Sequence, residues 1–211
     1  AIGANALDAV TTANNNIAVG LDALSGAAGN QNVAIGTDGQ KVSTAANNTS
    51  VGYLALSVNT TGTRNTVVGA YAADANTTGA NNSVLGIAAL GTNTTGDSNT
   101  AMGDQALSAN TTADNNSAFG YLALGANTTG TGNTAVGKDA GLTNTTGGDN
   151  TAVGYNALEA NTTASYNTGL GKDALQATTT GASNTAVGRA AMEANTTGGS
   201  NVAVGATALD A

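Results

Sequence analysis

Few residues in this chain could do chemistry. The 211 residues include no Cys and no His, so zinc lacks its two commonest protein ligands and a serine nucleophile lacks an imidazole base. The run Gly132 to Asp139 reads G-N-T-A-V-G-K-D, close to the nucleotide-binding pattern G-x-x-x-x-G-K-[ST]. Asp139 stands where that pattern needs a magnesium-binding hydroxyl. Because the same N-T-A-V-G precedes Tyr155 and Arg189, we interpret Lys138 as ordinary variation at a surface corner.

Carboxylates are the remaining candidates, for acid–base catalysis or for calcium. Asp22, Asp38, Asp139 and Asp173 recur at one place in a repeat, but neutral residues interrupt the series and the calcium signature G-G-x-G-x-D is missing. Catalysis needs one constellation placed once on a scaffold, and near-identical units offer none. We therefore predict solvated surface charge, no enzyme activity, and no catalytic, cofactor or metal site.

The charge balance restricts the partners of the chain. Five basic residues stand against thirteen acidic ones, with a net charge of -8, whereas binding to a phosphate backbone needs clustered Lys and Arg. No apolar run reaches the roughly 20 residues that cross a bilayer, and no basic-then-apolar leader opens the sequence. We expect no nucleic-acid partner and no membrane contact by this segment. The lack of Cys fits a protein that is extracellular, on a cell surface or on a virion.

A repeat of 17 residues organises the chain, with the consensus N-T-A-V-G-x-x-A-L-x-A-N-T-T-G-x-x, numbered here as positions 1 to 17. Two 16-residue units begin at Asn16 and Asn32, and 17-residue units begin at Asn48. Leu, Ile, Val and Phe make up less than a fifth of the chain, too few to fill a large globular core. Short β-like runs between Gly and Asn-rich corners predict an all-β parallel β-solenoid, or β-roll, of about 13 coils with two short strands per coil, at positions 1 to 5 and about 8 to 13. We expect residues 1–211 to form a single repeat domain without capping coils, part of a longer array or filament.

Position 4 is apolar in every coil and is predicted to fill the coil interior together with position 2, because alternate residues of a strand share a face. The predicted core stack is Val19, Ile35, Val51, Val68, Leu85, Met102, Phe119, Val136, Val153, Leu170, Val187 and Val204.

Position 1 is an asparagine without exception. Stacked copies predict an amide ladder in which each side chain bonds the copies above and below. The predicted ladder is Asn48, Asn65, Asn82, Asn99, Asn116, Asn133, Asn150, Asn167, Asn184 and Asn201. The constant Gly of position 5 predicts a corner with positive φ or with no room for a Cβ.

Position 3 is small almost throughout and lies on the opposite strand face from positions 2 and 4. A stripe of Ala along the rod would be an apolar surface that rarely stays exposed in a monomer, so we expect self-association through it. The candidate subunit interface is Ala34, Ala101, Ala118, Ala135, Ala152, Ala186 and Ala203.

The N-T-T-G corner has two interpretations. One is turn chemistry, in which Asn bonds its own backbone and Gly forms the corner. The other is a regular row of threonines that resembles the ice-binding faces of β-solenoid antifreeze proteins. The candidate Thr face is Thr61, Thr78, Thr95, Thr112, Thr129, Thr146, Thr163, Thr180 and Thr197.

The coils at Asn32 to Gly36 (N-V-A-I-G) and Asn201 to Gly205 (N-V-A-V-G) resemble the S-V-A-I-G repeat of the YadA-like heads of trimeric autotransporter adhesins. Similar arrays occur in phage tail-fibre and tail-spike-like proteins. The resemblance spans the chain, once per coil. It implies a left-handed parallel β-roll and a homotrimer, with positions 2 and 4 in the roll core and the Ala between them facing neighbouring chains. The 17-residue units are longer than those of the family, and residues 1–211 do not include the neck and stalk that the resemblance would lead one to expect.

From these features we expect an extracellular structural or adhesive fibre protein, the head or shaft of an adhesin, tail fibre or surface filament. Its partners would be copies of itself, as a trimer or end-to-end filament, and a host-surface protein or carbohydrate receptor. Five tyrosines at corner positions are candidate contacts for such a receptor. They are Tyr53, Tyr71, Tyr121, Tyr155 and Tyr166. The alternative function is ice binding through the Thr face.

Overall fold

The chain forms a parallel β-solenoid, which confirms the predicted fold class. The computed structural model describes residues 1–26 and 28–210. Within these residues, twelve three-residue strands form one parallel sheet in chain order. They are β1 Ile17–Val19, β2 Val33–Ile35, β3 Thr49–Val51, β4 Thr66–Val68, β5 Ser83–Leu85, β6 Thr100–Met102, β7 Ser117–Phe119, β8 Thr134–Val136, β9 Thr151–Val153, β10 Thr168–Leu170, β11 Thr185–Val187 and β12 Val202–Val204.

The strands pair in the register of the repeat, each position lying beside its own copy. Thr134 pairs with Thr151 and Val136 with Val153, and an isolated parallel bridge joins Ile2 to Val19 ahead of β1. Among the described residues, no helix is long and apolar enough to cross a membrane.

In the described part of the chain, each coil from Asn16 onward has one strand, at positions 2 to 4, so the second predicted strand at positions 8 to 13 is wrong. Turns occupy this stretch instead, and the residues at positions 7 and 9 have left-handed backbones, as at Leu122 (φ 55°) and Leu124 (φ 52°). Two left-handed residues so close together bend the chain out of the extended conformation that a strand needs. The backbone still bonds from coil to coil here, since the Leu124 N–H donates to the Ala140 carbonyl at 3.0 Å.

The glycine at position 5 meets both conditions expected of it. Gly137 has a φ of 134°, a conformation that residues with a Cβ rarely adopt. A Cβ built there would lie 2.5 Å from the carbonyl oxygen of Gly154 in the next coil. The corner therefore requires glycine both for its conformation and for the close approach of successive backbones.

The strand buries the opposite face from the one predicted: position 3 points into the coil and position 4 points outward. Position 3 is buried within its own coil, and the seven alanines predicted as a subunit interface are at most 3% exposed, so they are interior residues. The predicted core stack at position 4 lies on the outer face, half-buried or exposed along the whole sheet; Ile35, Leu85, Met102, Phe119, Val136, Leu170 and Val204 are exposed, and Val19, Val51, Val68, Val153 and Val187 are half-buried.

The physical reason is the width of the coil. The interior is filled by Ala at position 3 from the sheet, by Ala and Leu at positions 8 and 9 from the opposite wall, and by Asn at positions 1 and 12. Leu at position 9 occupies the space facing the sheet, so that a small residue fits at position 3. Bulky side chains at position 4 consequently point outward.

The apolar interior is divided near one end. One cluster runs from Ala55 to Ala203, and a second joins Ala18, Leu24 and Ala34. Between them, Gln40 replaces the usual Leu of position 9. Its amide donates to the Val33 carbonyl at 2.8 Å and to the Ser50 hydroxyl at 3.1 Å, while its Oε1 has no partner among the described residues.

Candidate functional surfaces

The outer face of the twelve-strand sheet is formed by the side chains of positions 2 and 4, and we call it the outward sheet face. Position 2 is mostly Thr or Ser, and position 4 is always aliphatic, Met or Phe. Within the array, Leu85 is 52% exposed and Phe119 is 38% exposed. No Asp, Glu, Lys or Arg occurs at either position. The result is a continuous, uncharged and largely apolar surface.

Charged and aromatic residues border this face at position 6. Lys138 lies 5.9 Å from the ring centre of Tyr121 and 5.3 Å from that of Tyr155, and Lys172 lies 5.6 Å from Tyr155. Lys138 also pairs with Asp139 at 2.8 Å, which raises the pKa of this lysine. The segment that nearly matches a phosphate-binding loop thus places its lysine in a stack of surface side chains, as expected for corner variation.

Acidic residues of position 7 pair with neighbouring lysines. Lys41 binds Asp38 at 2.8 Å and Asp22 at 3.2 Å, and the pKa of Lys41 is raised chiefly by Asp38. Among the described residues, no group of three or more metal-ligating side chains comes together.

The nine threonines of the candidate Thr face all lie at the surface. In six of the nine, the backbone N–H donates to a carbonyl of the neighbouring coil, as in the bond from the Thr78 N–H to the Thr94 carbonyl at 3.1 Å. The preceding Thr at position 13 is held too, since the Thr77 hydroxyl donates to the Thr94 carbonyl at 2.9 Å. The position-14 side chains therefore point outward from a rigid corner.

The position-1 asparagines join coils through the backbone, and we call them the backbone-linking column. The Asn133 Oδ1 accepts the backbone N–H of Asn150 at 2.9 Å, and its Nδ2 donates to the Gly147 carbonyl at 2.8 Å. The column is buried through the array, as at Asn116 and Asn167. The predicted ladder exists as an inter-coil connection, but its side chains bond the backbone N–H of the next copy; a bond between side-chain amides occurs only at the last step, from Asn201 Nδ2 to Asn184 Oδ1 at 3.2 Å, among the described residues.

The side-chain amide ladder lies in a different column, the asparagines of position 12, which we call the amide-ladder column. The Asn127 Nδ2 donates to Asn110 Oδ1 at 3.1 Å and to the Gly130 carbonyl at 3.0 Å. Asn144 Nδ2 then donates to Asn127 Oδ1 at 2.9 Å. Sequence reasoning assigned these residues to turns. The missed signal was a regularly spaced polar column that carries no charge, which is expected of buried amides with fixed partners.

Comparison with protein-family models, with curated proteins and with solved structures found no match to this chain.

Proposed function

We propose that this chain is a structural or adhesive segment of an extracellular fibre, and that copies of it associate through the outward sheet face. The observation that carries the proposal is the column of exposed or half-buried side chains at position 4, aliphatic except for Met102 and Phe119, which continues along the sheet without a charged residue. Contiguous apolar surfaces of this kind mark interaction sites in soluble proteins. The face takes over the role that the buried alanines of position 3 were expected to have.

The dimensions of the face suit a stable interface. Twelve parallel strands about 4.8 Å apart make a surface about 55 Å long. With a width of about 12 Å across the two columns, each copy offers roughly 650 Å², and two copies bury about 1,300 Å² together, within the standard range for protein–protein interfaces. The uncharged composition means that no ion needs to be desolvated on association.

The interior of the coil supports a mechanical role. The 17-residue coils are fastened to one another by strand pairing and by the backbone-linking column, and most of them also by the amide-ladder column. Bonding that repeats at every coil favours a stiff rod that holds exposed corners at fixed distances.

Charge placed on the outward sheet face tests the proposal. The double variant Val136→Lys with Val153→Lys changes side chains that the interior does not need, and we expect it to sediment as a monomer under conditions in which the original chain associates. The matched control is Thr129→Lys with Thr146→Lys, which adds the same charge at the Thr face and should leave association intact. An original chain that sediments as a monomer at micromolar concentration contradicts the proposal.

Ice binding is the second candidate, and the exposure of all nine position-14 threonines on a rigid corner favours it. Such a row presents hydroxyl and methyl groups at a constant spacing of about 4.8 Å. The same two double variants separate the functions. Ice binding predicts thermal hysteresis in the original chain that Thr129→Lys with Thr146→Lys abolishes. Ordinary growth of ice crystals in the original chain excludes this candidate.

A further inference from the structure

A shallow depression of about 460 Å³ lies among residues of positions 7, 10 and 11, outside the outward sheet face, and we call it the coil dent. Its floor is formed by Ala88 at position 7 and Gly91 at position 10. Tyr71 and Asp74 line one side, from the preceding coil, and Gln105 and Ser108 line the other, from the following coil; Thr92 and Ala109 complete the lining.

The dent exists because two neighbouring surface positions of the same coil have very small residues, Ala88 at position 7 and Gly91 at position 10. In the other coils at least one of positions 7 and 10 is larger, as in the coil that has Leu122 at position 7 with Gly125 at position 10. A near-identical repeat therefore contains one irregular place where groups from three coils converge. Convergence of a few polar groups on a concave, partly apolar surface is the usual form of a small-ligand site, and the volume lies in the usual range of about 300 to 1,000 Å³.

The Asp74 carboxylate leans over the floor of the dent. Its Oδ1 lies 3.6 Å from the point where a Cβ of Gly91 would be. Burial raises the pKa of the Asp74 carboxyl, against the opposing effect of the backbone N–H groups of Asp74 and Ala75. A carboxylate that has lost part of its water gains from a hydroxyl that donates to it, because charge-assisted hydrogen bonds are the strong ones.

Other groups around the dent are available to a ligand. Among the described residues, the Gln105 side-chain amide has no hydrogen-bond partner and retains donors and an acceptor. The Thr92 hydroxyl donates its proton to the Ser108 carbonyl at 2.7 Å, which leaves its oxygen free to accept. Tyr71 provides an aromatic ring at the rim. Tyr53 supports that ring edge-on, with the ring centres 5.2 Å apart and the planes at 85°.

We propose that the coil dent is a binding site for a neutral monosaccharide unit of a glycan. An apolar face of a sugar ring packs on Tyr71, vicinal hydroxyls donate to Asp74, and further hydroxyls exchange hydrogen bonds with Gln105 and with the Thr92 and Ser108 oxygens. The combination of an aromatic ring, one carboxylate, an amide and hydroxyls matches the alternation of C–H and O–H groups around a pyranose ring. A simple cation would leave the N–H donors of the Gln105 amide without an acceptor.

The site lies apart from the outward sheet face and does not depend on self-association. It gives the adhesive role in the proposed function a ligand class, and in that respect it rests on the proposed function. Its experiment tests a different surface and measures sugar binding instead of sedimentation. A failure to bind sugars is therefore distinguishable from a failure of the chain to associate.

Saturation-transfer difference NMR on the full chain tests the site with glucose, galactose, mannose, fucose and N-acetylglucosamine as methyl glycosides. We expect at least one of them to bind with a dissociation constant on the order of 1 mM, an ordinary affinity for a shallow site. Asp74→Asn should weaken binding about tenfold, because it removes the charge from an acceptor. Ala88→Leu should abolish binding by filling the dent, and the natural pairing of Leu122 with Gly125 indicates that the fold accepts it.

Two controls separate the site from the general surface. Asp8→Asn removes a carboxylate at the same repeat position in another coil, and Tyr155→Ala removes an exposed tyrosine outside the dent. Both variants should bind as the original chain does. No signal from any of the five sugars, or equal binding by Ala88→Leu, overturns the proposal. Sedimentation of Ala88→Leu should match that of the original chain, which shows that assembly has not been disturbed.

Discussion

Two columns of buried asparagine run through the same interior, and they differ in what they hold. In the backbone-linking column, Asn133 binds a backbone N–H of the next coil and a backbone carbonyl of its own unit. In the amide-ladder column, Asn127 shares its bonds with two neighbouring asparagines and with one carbonyl. Backbone groups are present in every coil whatever its sequence, whereas side-chain partners change when the neighbour changes.

The sequence follows this difference. Position 1 is Asn in all twelve units that contain it, whereas position 12 is another residue in four units, namely Val10, Ala27, Ser43 and Thr178. The replacement by Thr178 has a visible cost, because Asn161 Oδ1 in the preceding coil is left without a partner. The Thr178 hydroxyl instead donates to the Asn195 carbonyl at 2.9 Å. A ladder of side chains thus tolerates an exception at the expense of one unpaired atom.

The largest expected effect is that of Asn133→Ala in the backbone-linking column. It leaves the buried Asn150 N–H without its acceptor, and we expect a loss of about 2–4 kcal/mol in the free energy of unfolding. Urea unfolding followed by circular dichroism measures the change. Thr129→Ala, on the surface, is the control and should change it little. A loss below about 1 kcal/mol would remove the physical basis of the comparison.

Asn127→Ala in the amide-ladder column should cost less, about 1–2 kcal/mol. The Gly130 carbonyl keeps the bond from Asn116 Nδ2 at 2.9 Å, and Asn144 Nδ2 keeps the Gly147 carbonyl at 2.9 Å, so every backbone group retains a partner. The same urea measurement applies. A loss in the free energy of unfolding as large as that of Asn133→Ala, or larger, would show that the amide-ladder column stabilises the fold at least as much as the backbone-linking column.

Thr178→Asn should give the smallest effect and the opposite sign. The new amide can donate to Asn161 Oδ1, and we expect a gain of about 1 kcal/mol in the free energy of unfolding. Thr178→Val is the matched comparison, because it removes the hydroxyl bond to Asn195 and should destabilise the chain. If Thr178→Asn lowers stability, the ladder does not extend through this coil.

Three features could be predicted from the sequence: the 17-residue period, the parallel solenoid and the role of the position-5 glycine. Each depends on local chain geometry that is repeated many times. The direction in which position 4 points could not be predicted. In a strand of three residues the pattern Thr-Ala-Val is compatible with either face, and the usual rule that bulky aliphatics are buried favours Val136 over Ala135. The outcome depends on Leu at position 9 filling the coil from the opposite wall, a tertiary fact. The coil dent could not be predicted either, because it depends on how residues of three neighbouring coils lie together and not on a sequence motif.

The packing between coils is weakest at Gln40. At this level the dry packing between coils is replaced by a polar contact with an unpaired oxygen, between two separate apolar clusters. If the molecule is stretched between its ends in an optical trap, the short N-terminal cluster should detach first, at a lower force than the long one, and the extension trace should show two rips. Gln40→Leu together with Ser50→Ala would merge the clusters and turn the two rips into one.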